Sequence, residues 1–271
     1  MGMGLVTAGQ NTVMLRSRSV ALVRMEGTIG IGIRTADWVP VLDGLRRSRR
    51  VKAVAIEVDS RGGSASASDY LHEMVRKLAG QKPVIAFTGN LCASGGYLIA
   101  AAARTFIVQP AALVGSIGVI SVRPLAYELM ERAGVAISVS KSDRLKDMGA
   151  FWRPPTDEEK AKDQALVDEY YAMFLGRVAA ARGMEMEKLR ALATGEVFTG
   201  RQAVASGLAD RLGTFQDAVD EAAALAGVPA RTRWYGPRRS LRQRVLGPFA
   251  SALADEVWER AAAAGGREPR Y

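Results

Sequence analysis

Short apolar runs alternate with longer amphipathic ones through the first half of the chain. That alternation limits the fold more than any other feature. Residues 20–25 (VALVRM) read as a buried strand ended by Glu26-Gly27, and residues 30–33 as its glycine-broken continuation. Residues 37–47 place Val39, Val41, Leu42 and Leu45 at helical spacing, and the run Arg46-Arg47-Ser48-Arg49-Arg50 puts cations where a helix C-terminus favours them. Residues 51–58 give the next strand, 65–78 the next helix and 83–87 the next strand. Strands separated by helices of about three turns predict parallel pairing through right-handed crossovers, hence an α/β fold. The pattern extends through a strand at 105–108, a glycine-containing turn and strand over 114–122, a helix at 124–133 and a strand at 135–139.

Beyond residue 155 the character changes. Thr156-Asp157-Glu158-Glu159 is an N-cap followed by acids, predicting a long helix to about Arg182, ended by Gly183. Helices are expected at 185–193, from Phe198-Thr199-Gly200 to Ala205, and at 215–226. The tail is distinct. From Arg231 to Tyr271 there are nine arginines against four acids, so more than half of the net charge of +9 lies there. Leu241, Val245, Phe249, Leu253 and Val257 recur every four residues among these arginines, a basic amphipathic stripe interrupted by Pro248. The organisation read from the chain is an N-terminal extension at 1–19, a core domain at 20–228 and a basic C-terminal extension at 229–271.

The candidate chemistry lies where strands end. Ser94 sits in Gly89-Asn90-Leu91-Cys92-Ala93-Ser94-Gly95-Gly96-Tyr97, between a strand and an Ala-rich helix, so its hydroxyl is presented beside helix N-terminal amides. A plain N-cap serine would satisfy the same pattern. Gly62-Gly63, Ser94-Gly95-Gly96 and Gly115-Ser116-Ile117-Gly118 all follow strands, as does the loop 140–152 with Lys141 and Lys146. In an open parallel sheet such loops gather at one edge, and paired glycines let backbone amides approach a developing oxyanion. The one histidine, His72, lies inside a helix about ten residues from its turn, where a buried or surface role is the ordinary one. A serine nucleophile here needs another base, and a lysine can serve.

These motifs, in order, resemble a known family: Ser-Arg-Gly-Gly, Gly-Asn-Leu-Cys-Ala-Ser-Gly-Gly-Tyr, Val-Gly-Ser-Ile-Gly-Val, Lys-Asp-Met-Gly, and Phe-Thr-Gly-Arg-Gln-Ala followed by Ser-Gly-Leu-Ala-Asp. The family is that of the signal peptide peptidase A serine–lysine peptidases, on the Clp protease/crotonase fold. The resemblance covers about residues 20–226. It implies Ser94 as nucleophile, Lys146 as general base, Ser116 as the residue that holds the lysine amine, and Gly63 and Gly95 as oxyanion donors. It also implies a spiral of parallel β-α-β units with a helical layer used for assembly, apolar peptide substrates such as remnant signal peptides, and no cofactor. Two departures stand out. Arg61 occupies a position where the family commonly has proline, and residues 1–19 contain no apolar stretch long enough for the family's membrane anchor.

Composition narrows the alternatives. Apolar content of 48% with 24% charged residues is ordinary for a globular chain. The single cysteine, Cys92, allows no intrachain disulfide and no cysteine metal cluster, which suits a reducing compartment. The expectation is a cytoplasmic homo-oligomer that binds no nucleic acid. The tail is expected to pack on a neighbouring subunit in preference to lying on the inner face of an anionic membrane. A Clp-type Ser-His-Asp site fails for want of a histidine after Ser94. A crotonase-like acyl-CoA enzyme explains the glycines but not the serines and lysine. A catalytically silent peptide-binding scaffold of the same fold is the reading from a different class.

Overall fold

The computed structural model describes residues 19–237. Nine strands and eight helices follow one another there: β1 (Ser19–Glu26), α1 (Thr35–Arg47), β2 (Val51–Asp59), α2 (Ala65–Ala79), β3 (Val84–Thr88), β4 (Leu91–Ala93), α3 (Gly95–Ala101), β5 (Thr105–Val108), β6 (Leu113–Gly115), α4 (Tyr127–Arg132), α5 (Asp157–Arg182), α6 (Met186–Leu192), β7 (Val197–Thr199), α7 (Gly200–Ser206), β8 (Arg211–Leu212), α8 (Phe215–Ala226) and β9 (Thr232–Tyr235). Six strands form one sheet in the order β8-β5-β3-β2-β1-β9, and every neighbouring pair is parallel. A small second sheet runs β4-β6-β7, with β4 and β6 parallel and β7 antiparallel to β6.

The sheet is covered on both faces, which is why its strands read as continuous apolar runs and not as alternating ones. Val20, Leu22, Ala53, Ala55, Ile85, Phe87 and Ile107 pack with Ala218, Val219, Ala222 and Ala223 of α8. Alanines on both sides of that contact allow a close helix-to-sheet approach. The alternate residues Ala21, Val23, Met25, Val54, Ile56 and Val58 join the larger core beneath α1, α2 and α3. Tyr97 of α3 is fully buried and its hydroxyl donates to the Leu208 carbonyl at 3.0 Å. The long helix α5 joins this core only through its C-terminal half, by Phe174, Leu175 and Val178. Its start is a capping box between Thr156 and Glu159, and Gly183 in the left-handed conformation ends it, both at the ends read from sequence.

Several strands differ from expectation. Over 114–122, where a glycine-containing turn and a strand are expected, the turn is present but the strand precedes it, as Leu113–Gly115, because Ser116 has φ 49° and turns the chain out of the ladder. Residues 135–139 form no strand despite their β-branched residues: Val135, Ile137 and Val139 are exposed and no strand pairs with them among the described residues. The helix expected over 124–133 shortens to Tyr127–Arg132. Residues 30–33 form a turn bridged to Ile29 instead of extending β1. Conversely β4, β7 and β9 lie outside the strands expected from sequence. β9 falls in the segment assigned to the C-terminal extension, yet it pairs with β1 at the edge of the main sheet. The amphipathic stripe of the tail lies outside the described residues.

Candidate active site

Two strained serines face one pocket. Ser94 stands at the β4–α3 junction with φ 51° and ψ −122°, a conformation rare for a residue with a side chain. It is held there because its amide donates to the Gly115 carbonyl at 2.7 Å while its own carbonyl accepts from Leu98 N–H at 3.0 Å. Its hydroxyl makes no helix-capping hydrogen bond, so the plain N-cap alternative is not what the geometry shows. Ser116, in the other positive-φ position, is fixed by its amide, which donates to the Glu196 carbonyl at 2.7 Å. The β4–β6 pairing, with Ala93 opposite Gly115, sets the two serines beside each other in register.

Gly63 and Gly95 supply the amides. Gly63 lies between two bonds that tie its loop to Ile29: the Ile29 amide donates to Gly62 C=O at 2.8 Å, and the Ser64 amide donates to Ile29 C=O at 3.0 Å. The Gly63 N–H takes no part in that bridge. A Cβ at Gly63 would overlap the Ile29 carbonyl oxygen, and φ is 146°, so only glycine fits. Gly95 is the first residue of α3, whose amide has no intrahelical acceptor, and a Cβ there would overlap Ser68 Oγ. Ser94, Ser116, Gly63 and Gly95 all line a pocket of about 910 Å³. Its lining includes the apolar side chains of Ile29, Ile31, Leu98, Tyr170, Met173 and Phe174 and the charged Arg61 and Asp69. Asp69 is paired to Arg177 of α5 at 2.9 Å. Tyr170 and Phe174 come from α5, which the sequence shows as a long capped helix without assigning it to the pocket. Sequence reasoning misses Asp69, for which no sequence pattern offers a signal.

Lys146 is elsewhere. It is exposed, lies outside this lining, and its side chain makes no hydrogen bond or ion pair among the described residues. It is carried on an arm, residues 119–155, that also exposes Ile120, Val122, Leu125, Leu129, Val135, Ile137, Val139 and Phe151. The structure therefore brings together four of the five site residues read from sequence, and leaves the fifth on a peripheral element. His72 is buried, with Nδ1 2.7 Å from the Leu98 carbonyl oxygen, and burial holds its pKa below the usual imidazole value although that hydrogen bond acts against the shift. It is a core residue, not a base. Burial likewise pushes the Cys92 thiol well above its ordinary range, so it is no nucleophile at neutral pH. No cluster of three or more metal-ligating side chains occurs among the described residues, and no helix there is long and apolar enough to cross a membrane.

Comparison with known proteins bears on this arrangement. The model for "Peptidase family S49" matches residues 76–229. A protein of Synechocystis sp. bearing the name "Putative protease" is 37% identical over 213 residues, covering 78% of this chain and 76% of its own length. The chloroplastic serine protease SPPA of Arabidopsis thaliana is 32% identical over 228 residues, 83% of this chain but 34% of that protein. Among solved structures, a mutant of the 1510-N membrane-bound stomatin-specific protease aligns with a TM-score of 0.50 over 82% of this chain and 99% of its own, at 14% identity. That likeness concerns the α/β fold alone.

Proposed function

The chain belongs to peptidase family S49, the SppA-type serine peptidases, and from that premise we propose that it is an endopeptidase whose Ser94 is activated by Lys146. Ser94 Oγ attacks a peptide carbonyl as the neutral Lys146 amine takes its proton. The Gly63 and Gly95 amides stabilise the oxyanion, Lys146 returns the proton to the leaving amine, and water then hydrolyses the acyl-enzyme. Ser116 orients the amine. The observation that carries this reading is the meeting of Ser94, Ser116, Gly63 and Gly95 in one pocket with Ser94 held at positive φ. The aliphatic and aromatic walls favour extended apolar segments, such as remnant signal peptides or pieces of membrane proteins.

The position of Lys146 extends the proposal. A soluble monomer rarely leaves so many apolar side chains open on one element, and the arm that exposes them also carries the base. The chain works as a homo-oligomer in which the arm of one copy covers the pocket of the next and delivers Lys146 to its Ser94. Liposome sedimentation at low and high salt tests whether the basic tail, which lies outside the described residues, contacts an anionic membrane or serves contacts between copies.

The test is to incubate the purified protein with an unfolded polypeptide and identify the fragments by mass spectrometry. Cleavage should fall within apolar segments and vanish in Ser94→Ala and in Lys146→Ala. Undiminished cleavage in either variant refutes the dyad.

A further inference from the structure

The lysine-bearing loop is not left to the solvent. Residues 143–150 form a run of tight turns, with the Lys146 amide donating to Asp143 C=O at 3.1 Å, Met148 N–H to Leu145 C=O at 3.1 Å and Ala150 N–H to Asp147 C=O at 3.0 Å. Asp147, next to Lys146, points inward: its side chain is 9% exposed. Two cations close on it. Lys141 Nζ lies 2.6 Å from Oδ1, and the Arg153 guanidinium reaches Oδ2 through Nε at 3.0 Å and Oδ1 through Nη2 at 3.0 Å. The other edge of the same guanidinium grips Glu159, with Nη2 to Oε1 at 2.5 Å and Nη1 to Oε2 at 2.8 Å. Glu159 is 2% exposed and accepts from the Thr156 amide at 2.8 Å, which completes the capping box that starts α5. Arg153 thus ties the residue beside Lys146 to the start of a helix whose far end is locked into the core.

We infer that Arg153 is a positioning residue, which sets the direction and reach of Lys146 by clamping Asp147 to Glu159 in the capping box of α5. The inference rests on the reading of Lys146 as the base. A guanidinium suits the task because its planar fork serves two carboxylates at once, which an ammonium cannot do with fixed geometry. The clamp also controls charge. Lys141 and Arg153 neutralise Asp147. The other ionised groups around the loop are largely matched among themselves: Arg144 with Glu158 at 2.8 Å and with Asp143 at 3.6 Å, and Arg123 with Asp163 at 2.5 Å, with Glu131 lining the neighbouring pocket. Removing Arg153 leaves Asp147, one residue from Lys146, with Lys141 alone and leaves Glu159 without its cation; the loss of one positive charge there favours the charged ammonium of Lys146 over the neutral amine a base needs.

Four variants test this: Arg153→Ala, Arg153→Lys, Asp147→Asn and Lys146→Ala, each checked for folding by thermal denaturation. A displacement of about 1 Å in a catalytic group costs on the order of 100-fold in rate. Arg153→Ala is therefore expected to lower kcat by about that factor with KM nearly unchanged, and to move the rising limb of the pH–rate profile to higher pH. Arg153→Lys should recover part of kcat and return the limb toward its original place. Asp147→Asn, which loosens the clamp and leaves Lys141 without its carboxylate, should lower kcat and move the limb the other way, to lower pH. If Arg153→Ala keeps kcat and the limb while Lys146→Ala is dead, the positioning role is wrong and the base assignment stands. If Lys146→Ala is active, the base assignment fails and the positioning role with it. Should Arg153→Ala not fold, the split between Arg153→Lys and Asp147→Asn carries the same decision: identical pH profiles and wild-type kcat in both overturn the proposal.

Discussion

The serine pocket and the lysine arm are built by different physics. Ser94, Ser116, Gly63 and Gly95 are fixed by backbone hydrogen bonds at the ends of strands whose side chains are largely buried, and the neighbouring helix α3 is buried from end to end. The arm exposes its apolar residues and holds its shape through ion pairs near the surface. The four pocket residues thus meet within one chain, whereas the arm leaves its apolar side chains exposed among the described residues. On the proposed reading, a site divided in this way is assembled only when copies meet, so that proteolysis is coupled to oligomerisation.

The largest expected effects test whether both halves are needed. Ser94→Ala and Lys146→Ala should each lower kcat by about 10⁴-fold or more. Because the two act as one unit, the double variant should be no worse than either alone. Activity of the parent protein should rise with pH, since only the neutral amine accepts a proton, and a profile flat from mildly acidic to alkaline pH would contradict a lysine base. Next comes the arm. Leu129 is 70% exposed, so Leu129→Glu should leave the thermal stability of the isolated chain within about 0.5 kcal/mol, as surface changes usually do. Light scattering should nevertheless show dissociation, with activity lost in proportion. An active monomer would break the comparison.

Within the pocket, Gly95→Ala places a methyl against Ser68. It should displace one oxyanion donor and lower kcat by about 10²–10³-fold. Ser68→Gly, added to it, should restore part of that loss by opening the space. If Gly95→Ala has wild-type kcat, Gly95 is no donor.

The arm should also show its ion pairs in acid. The Arg153 guanidinium, and then the Thr156 amide, hold the Glu159 carboxyl down at about 2 from an ordinary 4.5. A carboxyl depressed in the folded state stabilises it fully above the unfolded value, and that contribution is lost as pH falls through the folded one. The difference in Tm between the parent and Glu159→Gln should therefore be constant above about pH 5 and shrink between about 4.5 and 2. A difference that does not change with pH would mean the clamp is not electrostatic. The smallest effect belongs to the core: Tyr97→Phe leaves the buried Leu208 carbonyl without its donor, costing about 1–3 kcal/mol of stability with no change in the pH profile.

How legible each half is in the sequence follows the same division. The β1-α1-β2-α2-β3 succession, the ends of α5 and the extent of α8 can be read because periodicity, caps and glycines act locally. The pocket residues can be read because strand ends in a parallel sheet converge. The short strands β4 and β7, three residues each, are too brief to show a period, and they exist only because β6 offers both of them an edge. Residues 135–139 resemble a strand because β-branched residues favour pleated, half-buried surfaces, but among the described residues no neighbouring strand pairs with them. Lys146 can be named only from motif resemblance. Its clamp is invisible, since nothing in sequence spacing says that Asp147, Arg153 and Glu159 meet.

The central claim is that the dyad is completed between copies, and mixing two dead enzymes tests it most directly. Ser94→Ala retains Lys146, and Lys146→Ala retains Ser94. If these are dissociated, combined in equal amounts and reassembled, random mixing across a head-to-tail interface should pair an intact serine with an intact lysine at about a quarter of the sites. That fraction of the parent activity should reappear in the mixture, while each variant carried through the same cycle alone stays inactive. A mixture as dead as its components, in oligomers shown to contain both variants, would place the serine and its base within one chain and contradict the account.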